Sequence, residues 1–573
     1  MVPFLAQKLK RPSVIWLNRR WLAECGIDLR LEGAESEIKT WLLETFGAAV
    51  PHPLDPTDAY GSETVCFGAD RYGSSWGNYH GGSGRCGTAG HFHAKGIGRT
   101  PLISVGTLEH ANGMVLLWEA LLEAIGSEIV DAELPYGAVP ILAIIDLGFA
   151  SPEADGGAPA RRAMIVRPSF LRPAHFERSI FFGDAGHPEA DQYRDAQRVR
   201  HAVESAPTLA IAKGAPAKLL TTLFTRTAEQ IGSARAHRLW LGVCASSNRA
   251  IDGRIVDFGA VRAVPDWRAS TTRMPEQFGN ELQMVSGEID SLSFYFHKYS
   301  SPEHPLPTRE ALAAEVSSRA VSSFRSACAQ AMMLDEESPA TADALDELQA
   351  YYRAQQAECV DAADRAAWRL PWLLNGKDRD GPGTAAENRV MKVVRRALEG
   401  DRPAGDVHRA RLSALHRWLA PRHGIFQPIA VRRLPAFVRS LSGDPDIDSA
   451  RVANFIDHQV SCARRIWRGI PRDLQVRAQL VRGEASGLLG VRGPGQTKGV
   501  LLSGPLQSGS ISILGCTVRK LEIDEKSTDQ GAISSVWITP ASRVEYNRGF
   551  DFCRLANAIA AEGYSYRAVQ ALR

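Results

Sequence analysis

A change in apolar patterning near residue 160 is the feature that most constrains the fold of this chain. From about residue 65 to 150, short apolar segments alternate with glycine-rich loops around one helical pattern, Met114–Ile125, and one strand-like run, Val139–Asp146. From residue 161 to about 430, helical spacing dominates. Strands around one helix, followed by many helices, predict an α+β chain with a small α+β lobe and a mainly helical lobe.

The same reading divides the chain into four segments. The proline-rich loop Pro51–Pro56 ends the first, since prolines stop regular structure, and the Gly/Pro-rich stretch Ser151–Ala160 ends the second. Near the end, a helical pattern over Ser449–Arg468 gives way to β-branched runs such as Ser534–Thr539. The predicted segments are an N-terminal arm, a small lobe, a helical lobe and a C-terminal α+β unit, at residues 1–60, 61–155, 156–430 and 431–573.

Composition excludes several classes of protein. The 67 basic and 64 acidic residues leave a net charge of +3, so we expect no nucleic-acid partner, which would call for a strong basic excess. The 9 cysteines form no CxxC pair, which favours reduced thiols over disulfides or structural zinc. Charges interrupt every apolar run near the N-terminus, and the Val139–Leu147 stretch is far below the roughly 20 residues of a membrane span. We therefore expect a cytoplasmic protein without membrane contact.

Lys95 lies in a segment with features of a nucleotide phosphate site. The chain reads His-Phe-His-Ala-Lys95-Gly96, and Glu119 follows on the predicted helix. In kinase-like sites a strand lysine holds phosphates and a helix glutamate orients it, although a lysine and a glutamate at such a distance also pair by chance. Upstream, Gly82-Ser83-Gly84-Arg85 is glycine-rich, so its backbone N–H groups could approach phosphate oxygens, or it could be a simple turn.

A second segment has the features of a magnesium site. Asn248 is followed by a predicted short hairpin and then by Asp257-Phe258-Gly259. An amide oxygen and a carboxylate suit Mg²⁺ that bridges phosphates, and we expect the small Gly259 to permit the turn that aims Asp257 inward. Asn248 and Asp257 are the predicted metal ligands.

Two arginines lie between these segments. Arg167 and Arg172 occur in Arg167-Pro-Ser-Phe-Leu-Arg172-Pro-Ala-His-Phe-Glu177. Guanidinium groups bind phosphate through two hydrogen bonds, so both arginines could neutralise a triphosphate; the alternative is an interlobe salt bridge.

Taken in this order, the motifs resemble those of the selenoprotein O family of protein adenylyltransferases. The resemblance also covers Val14-Ile-Trp-Leu-Asn18 and Trp118-Glu-Ala-Leu-Leu122, and it spans roughly residues 13 to 300. It implies a bilobal protein-kinase-like fold that binds ATP in a flipped orientation and transfers AMP to hydroxyl groups of proteins. By the same resemblance, Lys95 contacts phosphates, Glu119 orients Lys95, Asn248 and Asp257 hold Mg²⁺, and Arg172 holds the phosphate tail; the role of Arg167 is less well matched.

The chain departs from the family pattern at positions that bear on catalysis. Ser247 stands where the family has an aspartate that could act as general base, and a serine hydroxyl does not accept a proton at neutral pH in the same way. Asp252 is the predicted substitute; the alternatives are Asp266, or an acceptor that needs no strong base. Ser83-Gly84-Arg85 replaces Asp-Gly-Arg, residues 109–113 replace a Gly-Asp-Gly-Arg loop, and no paired-cysteine tail is present.

Three functions remain open from the sequence. The first is ATP- and Mg²⁺-dependent transfer of AMP to a protein or peptide acceptor; the others are phosphate transfer and an inactive nucleotide-binding pseudokinase scaffold.

His91 and His93 could share a strand face as zinc ligands, but no third ligand is evident nearby in the sequence.

Overall fold

The computed structural model describes residues 1–463 with gaps and, beyond them, strands between residues 475 and 539. The gaps are residues 26, 28, 30, 74–78, 105–111, 152–158, 183–188, 265, 272–277, 333, 335, 337, 362–384, 400–410, 413–414, 416–417, 420–426 and 442–446. Residues 109–111, which replace part of a family loop, lie outside the described residues.

An eight-stranded antiparallel sheet occupies the first part of the chain, in the order β2-β7-β8-β6-β5-β4-β1-β3. Its strands are β1 (Val2–Leu9), β2 (Ser13–Leu17), β3 (Ala48–Ala49), β4 (Tyr60–Ala69), β5 (Cys86–Ala89), β6 (Phe92–Lys95), β7 (Ala143–Ser151) and β8 (Ala160–Pro168). The predicted segment boundaries at residues 60/61 and 155/156 both fall within the chain that builds this sheet. The sheet therefore contains strands of the predicted N-terminal arm, of the small lobe and of the start of the helical lobe.

Helices cover both faces of this sheet. Successive side chains of a strand point to opposite faces, so Ile145 of β7 packs in the cluster that contains α2 (Ala34–Phe46), whereas Ile165 of β8 packs in the cluster that contains α3 (Leu117–Glu133). The predicted Met114–Ile125 helix corresponds to α3, which begins later and extends further. The face toward α3 is the one that carries the candidate site.

Helices dominate the chain after β8, as the sequence predicts. Pro216 and Pro339 occupy the first turns of two of them, where the missing N–H costs nothing. The remaining helices are α1 (Arg19–Glu24), α4 (Gln192–Ser205), α5 (Pro216–Ala236), α6 (Glu281–Tyr299), α7 (Arg309–Met332), α8 (Pro339–Gln355), α9 (Ala385–Glu399), α10 (Gln427–Leu441) and α11 (Ser449–Ala463). Short strands between them are β9 (Leu239–Trp240), β10 (Arg262–Ala263), β11 (Ala269–Thr271) and β12 (Cys359–Asp361).

The α+β class with an antiparallel sheet is therefore confirmed. The domain boundaries stay a prediction, and two observations bear on the boundary at residue 431. Helices α10 and α11 both pack on α3, beside the sheet, and α11 also packs on β2. No helix within the described ranges is both long and apolar enough to cross a bilayer.

The C-terminal unit contains the strands that the sequence predicts. A five-stranded antiparallel sheet has the order β15-β14-β13-β19-β18, and β16 pairs with β17 separately. The strands are β13 (Gln475–Gln479), β14 (Ser486–Gly493), β15 (Gln496–Ser503), β16 (Ile511–Ile513), β17 (Cys516–Val518), β18 (Lys520–Asp524) and β19 (Ser535–Thr539).

Asp55 fixes the proline-rich loop Pro51–Pro56 to the sheet. Its carboxylate accepts hydrogen bonds from Arg162 Nη1 at 2.8 and 2.9 Å, from Ser151 Oγ at 2.7 Å and from the Tyr60 hydroxyl at 2.5 Å. Arg162 is fully buried, with 0% of its surface exposed. The loop is thus held by a buried ion pair and lies against β4, β7 and β8.

Candidate functional site

Strand β6 places Lys95 on the sheet face that is covered by α3. In the antiparallel ladder Lys95 lies opposite Ile165, whose side chain is in the α3 core, and opposite residues share a face. The Lys95 ammonium is buried, donates to Glu123 Oε1 and reaches Asp257 Oδ1 at 3.1 Å. Lysine and aspartate, separated by 162 residues in sequence, therefore meet at one point.

The glutamate that pairs with Lys95 is Glu123, so the predicted Glu119–Lys95 pair is wrong. Glu119 lies in the first turn of α3, where its carboxylate accepts the Leu116 backbone N–H at 2.7 Å. Helix N-termini leave such N–H groups without a partner, and a glutamate at this position satisfies one of them. Glu123 lies one turn further along and is only 3% exposed. It also accepts a hydrogen bond from Arg167 Nη2 at 2.6 Å.

A short hairpin brings Asn248, which precedes it, and Asp257, which follows it, to its open end. Arg249 and Ile255 form an antiparallel bridge, and Val256 N–H donates to the Asn248 carbonyl at 3.0 Å. Gly253, with φ of 92°, makes the turn. Asn248 and Asp257 consequently flank the open end of the hairpin, as the sequence predicts.

Arg249 anchors this hairpin to the helical part of the molecule. Its guanidinium is buried, pairs with the Glu288 carboxylate on α6 and donates to Thr227 Oγ1 on α5. Two helices therefore hold the residue that follows Asn248, which limits the positions open to the Asn248 side chain.

The backbone turn that aims Asp257 occurs at Asp257 itself, with φ of 67°, and the predicted role of Gly259 is wrong. Gly259 has no left-handed φ, and a Cβ there would make only an ordinary contact, 3.7 Å from Asp257 Oδ1. Positive φ at a residue other than glycine is uncommon and tends to occur at functional sites. The conformation leaves the Asp257 side chain 38% exposed, beside the Lys95 ammonium.

Asp257 is held in its ionised form. Burial acts to raise its pKa, but Lys95, Arg85 and Arg167 together outweigh burial and hold the pKa of Asp257 well below its usual range. An ionised, partly exposed carboxylate is a hard oxygen ligand of the kind that Mg²⁺ binds. The residue thus has both the charge and the access that a cation requires.

Asn248, on the facing side of the same hairpin, has an amide oxygen to offer. Its amide nitrogen Nδ2 donates to the Val243 carbonyl at 3.0 Å, so this bond uses the NH₂ end and not the oxygen. Among the described residues no group of three or more His, Cys, Asp or Glu side chains is arranged to hold a metal. Mg²⁺ bound by one amide and one carboxylate would take its other oxygens from phosphates and water, which is its usual practice.

Phe258 links Asp257 to α3. Its ring is fully buried, and an added Cβ on Gly126 of α3 would lie 2.7 Å from the Phe258 Cβ. The helix that carries Glu123 therefore packs directly on the residue next to Asp257, and only glycine fits at position 126.

We predict that Gly126→Ala destabilises the protein even though alanine is the better helix former. Overpacking against the Phe258 Cβ costs about 1–3 kcal/mol, compared with a propensity gain of about 1 kcal/mol. Calorimetry should show a lower melting temperature for Gly126→Ala. The control Ala124→Gly, on the same helix, measures the loss of stability from lower helix propensity and from a small cavity, without overpacking. A melting temperature at or above that of the wild type for Gly126→Ala would contradict the close packing.

The glycine-rich loop packs tightly within the protein. Gly82 has φ of 143°, and a Cβ there would lie 2.2 Å from the Asp70 carbonyl. The Ser83 N–H already donates to that carbonyl at 2.8 Å, and Gly84 accepts the Thr100 N–H at 3.0 Å. The predicted phosphate cradle is therefore wrong for the Ser83 N–H, which has a protein partner.

Arg85 and Gly96 are also held by hydrogen bonds to the backbone of the protein. Arg85 Nη1 donates to the Met114 carbonyl at 3.0 Å, and the Gly96 N–H donates to the Arg85 carbonyl at 2.9 Å. Gly96 has φ of 100°, and a Cβ there would lie 2.6 Å from the Ala163 carbonyl. These residues set the position of Lys95, while the charge of Arg85 acts on Asp257 at longer range.

Arg172 connects the sheet side of the site to the loop before Asn248. Its guanidinium donates to the Ser247 carbonyl and lies over the rings of Tyr72, at 4.9 Å, and Phe170, at 4.4 Å. Two aromatic faces thus hold a cation at the edge of the site. Arg172 thus contacts a carbonyl, and not the carboxylate that the predicted alternative of an interlobe salt bridge requires.

Asp252 is not joined to the Lys95 and Asp257 group by any described contact. Its carboxylate pairs with Arg254 and accepts the Arg254 N–H at 3.2 Å, within the turn of the hairpin. Asp266 is likewise occupied, with Arg268 Nη2 at 2.6 Å. Neither contact supports a general-base role for these carboxylates.

The sequence prediction omits Glu123 from the site and considers His93 only as a zinc ligand. Because side chains alternate along a strand, His93 shares the face of Lys95, and it lies opposite Arg167 in the ladder. That spacing was available in the sequence. The choice of Glu123 over Glu119 depended on where α3 begins.

Neither a scan against protein-family models nor a search of curated proteins finds a match to this chain. The selenoprotein O resemblance therefore rests on the sequence motifs alone.

Proposed function

We propose that this protein is an ATP- and Mg²⁺-dependent nucleotidyltransferase that transfers AMP to hydroxyl groups of a protein or peptide. The observation that carries the proposal is the convergence of Lys95, Glu123 and Asp257, with Lys95 Nζ in contact with both carboxylates. A lysine oriented by a helix glutamate beside a metal-binding aspartate is the arrangement that phosphoryl-transfer enzymes use.

A bilobal kinase-like fold is part of the proposal. It is supported by the antiparallel sheet with α3 on one face, by the helices that follow, and by the position of Asp257-Phe258 between them. The buried contact of Phe258 with α3 supports it further, since it ties the helix glutamate to the aspartate loop.

Each residue has a role in the proposed reaction. Lys95 donates to phosphate oxygens while Glu123 keeps its ammonium in place, and Asn248 and Asp257 hold Mg²⁺, which when bound offsets phosphate charge. The acceptor hydroxyl oxygen forms a bond to the α-phosphorus, the bond from that phosphorus to the bridging oxygen breaks, and pyrophosphate leaves. The hydroxyl proton passes to solvent or to the leaving group, since Asp252 is paired with Arg254.

The rival function is a nucleotide-binding scaffold without catalysis. The observation that favours it is Ser247, whose carbonyl binds Arg172 and whose side chain brings no carboxylate to the position of the family's base. A scaffold would have the same ATP site as the transferase, so only a measurement of product formation distinguishes the two functions.

Labelled ATP tests the proposal directly. With α-³²P-ATP, Mg²⁺ and a heat-inactivated cell extract as acceptor, we expect label in protein, and with γ-³²P-ATP we expect none. Label only from γ-³²P-ATP would indicate phosphate transfer, and label from neither would favour the scaffold.

The two glutamates of α3 give a matched pair of variants. We expect Glu123→Gln to lower Mg²⁺-dependent transfer about 10- to 100-fold, because the amide no longer balances the Lys95 ammonium. Glu119→Gln keeps a side-chain oxygen for the Leu116 N–H, so it should retain activity within about twofold. Initial rates at saturating ATP check this. A larger loss for Glu119→Gln than for Glu123→Gln would contradict the assignment.

A further inference from the structure

His93 is a buried histidine whose ring has no hydrogen-bond partner in the described part of the chain. It is 5% exposed, and neither Nδ1 nor Nε2 meets a donor or acceptor there. A neutral imidazole carries one donor and one acceptor, and leaving both unmatched in the interior is unfavourable for folding. Such groups call for a specific explanation.

The ring borders a small polar pocket beside the candidate site. Phe170 packs edge-on against His93, with ring centroids 5.9 Å apart. The Ser169 hydroxyl also has no partner within the described residues. The lining residues are Asp70, Thr88, His93, Ser169, Phe170 and Arg172. The pocket has room for about one water molecule, so its unmatched polar groups indicate that one small polar group, a water or a ligand oxygen, lies in it.

The charges around the pocket point to an anion. Arg167 lies opposite His93 in the ladder, Lys95 is two residues along the same face, and Arg172 lines the pocket. Asp70 is the acidic residue of the lining, and its carboxylate is already bonded to His175 Nε2 at 2.8 Å. Cys86 on β5, whose pKa burial raises, stays neutral.

The empty site is close to electrostatic balance. Lys95 and Arg167 are matched by Glu123 and Asp257, Arg172 interacts with Asp70, and Arg85 adds one positive charge at longer range. Mg²⁺-ATP keeps a net negative charge larger than the one that Arg85 offsets. His93 is the one unpartnered titratable group described at the pocket, so it can supply the extra positive charge by taking up a proton.

We propose that His93 is a phosphate-binding residue that becomes protonated when a phosphate oxygen of ATP enters the pocket beside Arg172. This inference rests on the proposed function. Burial first, and then Arg172 and Arg167, hold the pKa of His93 well below its ordinary value in the empty site, with Asp70 opposing them. The ring is therefore neutral when the site is empty, and a bound phosphate, by contributing negative charge, raises its pKa.

The pKa of His93 and the affinity for ATP are linked through pH. A group whose pKa rises on binding makes binding tighter as pH falls, until the pH is below its pKa in the empty site. His93 thus makes the protein bind ATP more tightly toward pH 6 than at pH 8, with uptake of a proton from buffer.

Calorimetric titration of Mg²⁺-ATP into wild-type protein, His93→Gln and His91→Gln tests the inference. Each is measured at pH 6 and pH 8, in two buffers of different ionisation enthalpy. Because the protons of ATP are common to all three, the ratio of wild-type to His93→Gln affinity is the measurement. We expect this ratio to grow about tenfold between pH 8 and pH 6, and proton uptake to fall in His93→Gln but not in His91→Gln.

The possible results distinguish a failure of the His93 proposal from a failure of the proposed nucleotide-dependent function. Equal ratios at both pH values and equal proton uptake would overturn the role of His93 while leaving nucleotide binding intact. Absence of Mg²⁺-ATP binding to wild type would overturn the proposed function and this inference with it. If His93→Gln does not fold, the buffer dependence of wild-type binding decides: no uptake beyond that of ATP itself overturns the inference.

Discussion

Asp257→Asn lowers AMP transfer by about a hundredfold or more, because it removes the ionised ligand of Mg²⁺ at the centre of the site. Asparagine has the same shape and is one of the few residues that adopt the left-handed conformation found here, with φ of 67°. The fold should therefore survive the change. Initial rates with α-³²P-ATP at several Mg²⁺ concentrations measure the effect, and added Mg²⁺ should restore part of the rate.

Two controls sharpen this prediction. Asp58→Asn removes an exposed carboxylate from a loop and should keep wild-type rates. Lys95→Met should reduce the rate to a similar degree as Asp257→Asn, and the double variant should lose little more, since residues that act as a unit are not additive. Wild-type rates in Asp257→Asn would separate this site from catalysis.

Arg162→Met destabilises the sheet by about 3–5 kcal/mol, because it leaves the Asp55 carboxylate buried without its cation. Both side chains are almost fully inaccessible, at 0% and 1% exposure. The bonds from Ser151 and Tyr60 remain, but neither brings a positive charge. Calorimetry or urea unfolding measures the loss.

The double variant Asp55→Asn/Arg162→Met should recover part of this stability. It removes both charges together, and replacing a buried pair costs less than breaking it. Arg194→Met, at a side chain that is 75% exposed, should change the free energy of unfolding by less than about 0.5 kcal/mol. A double variant less stable than Arg162→Met alone would show that the pair is not the cause.

Much of the architecture could be predicted from periodicity. The apolar spacing predicts helices over Glu310–Met333 and Ala385–Leu398, and α7 and α9 lie within a residue of these bounds because the spacing extends over several turns. The N-terminal arm could not be predicted in the same way. Its strands β1 and β2 pair with β4 and β7, and such long-range pairing leaves no local signal beyond alternation.

The site was predictable to the level of its elements but not of every side chain. Lys95 and Asp257 meet as their motifs predict, whereas Glu119 and Glu123 are one helical turn apart and differ only in where the helix begins. Glycine is the usual left-handed residue, so the sequence predicts the turn at Gly259, yet Asp257 itself adopts that conformation. Loop glycines likewise suggested phosphate binding where the structure uses them for close backbone contacts.

Anomalous diffraction from crystals grown with Mn²⁺ and a non-hydrolysable ATP analogue tests the central claim most directly. Mn²⁺ takes the oxygen ligands of Mg²⁺ and marks its position. The account predicts an anomalous peak bound to Asp257 and Asn248, with the polyphosphate beside Lys95. A peak elsewhere, or a nucleotide that does not reach Lys95, would contradict it.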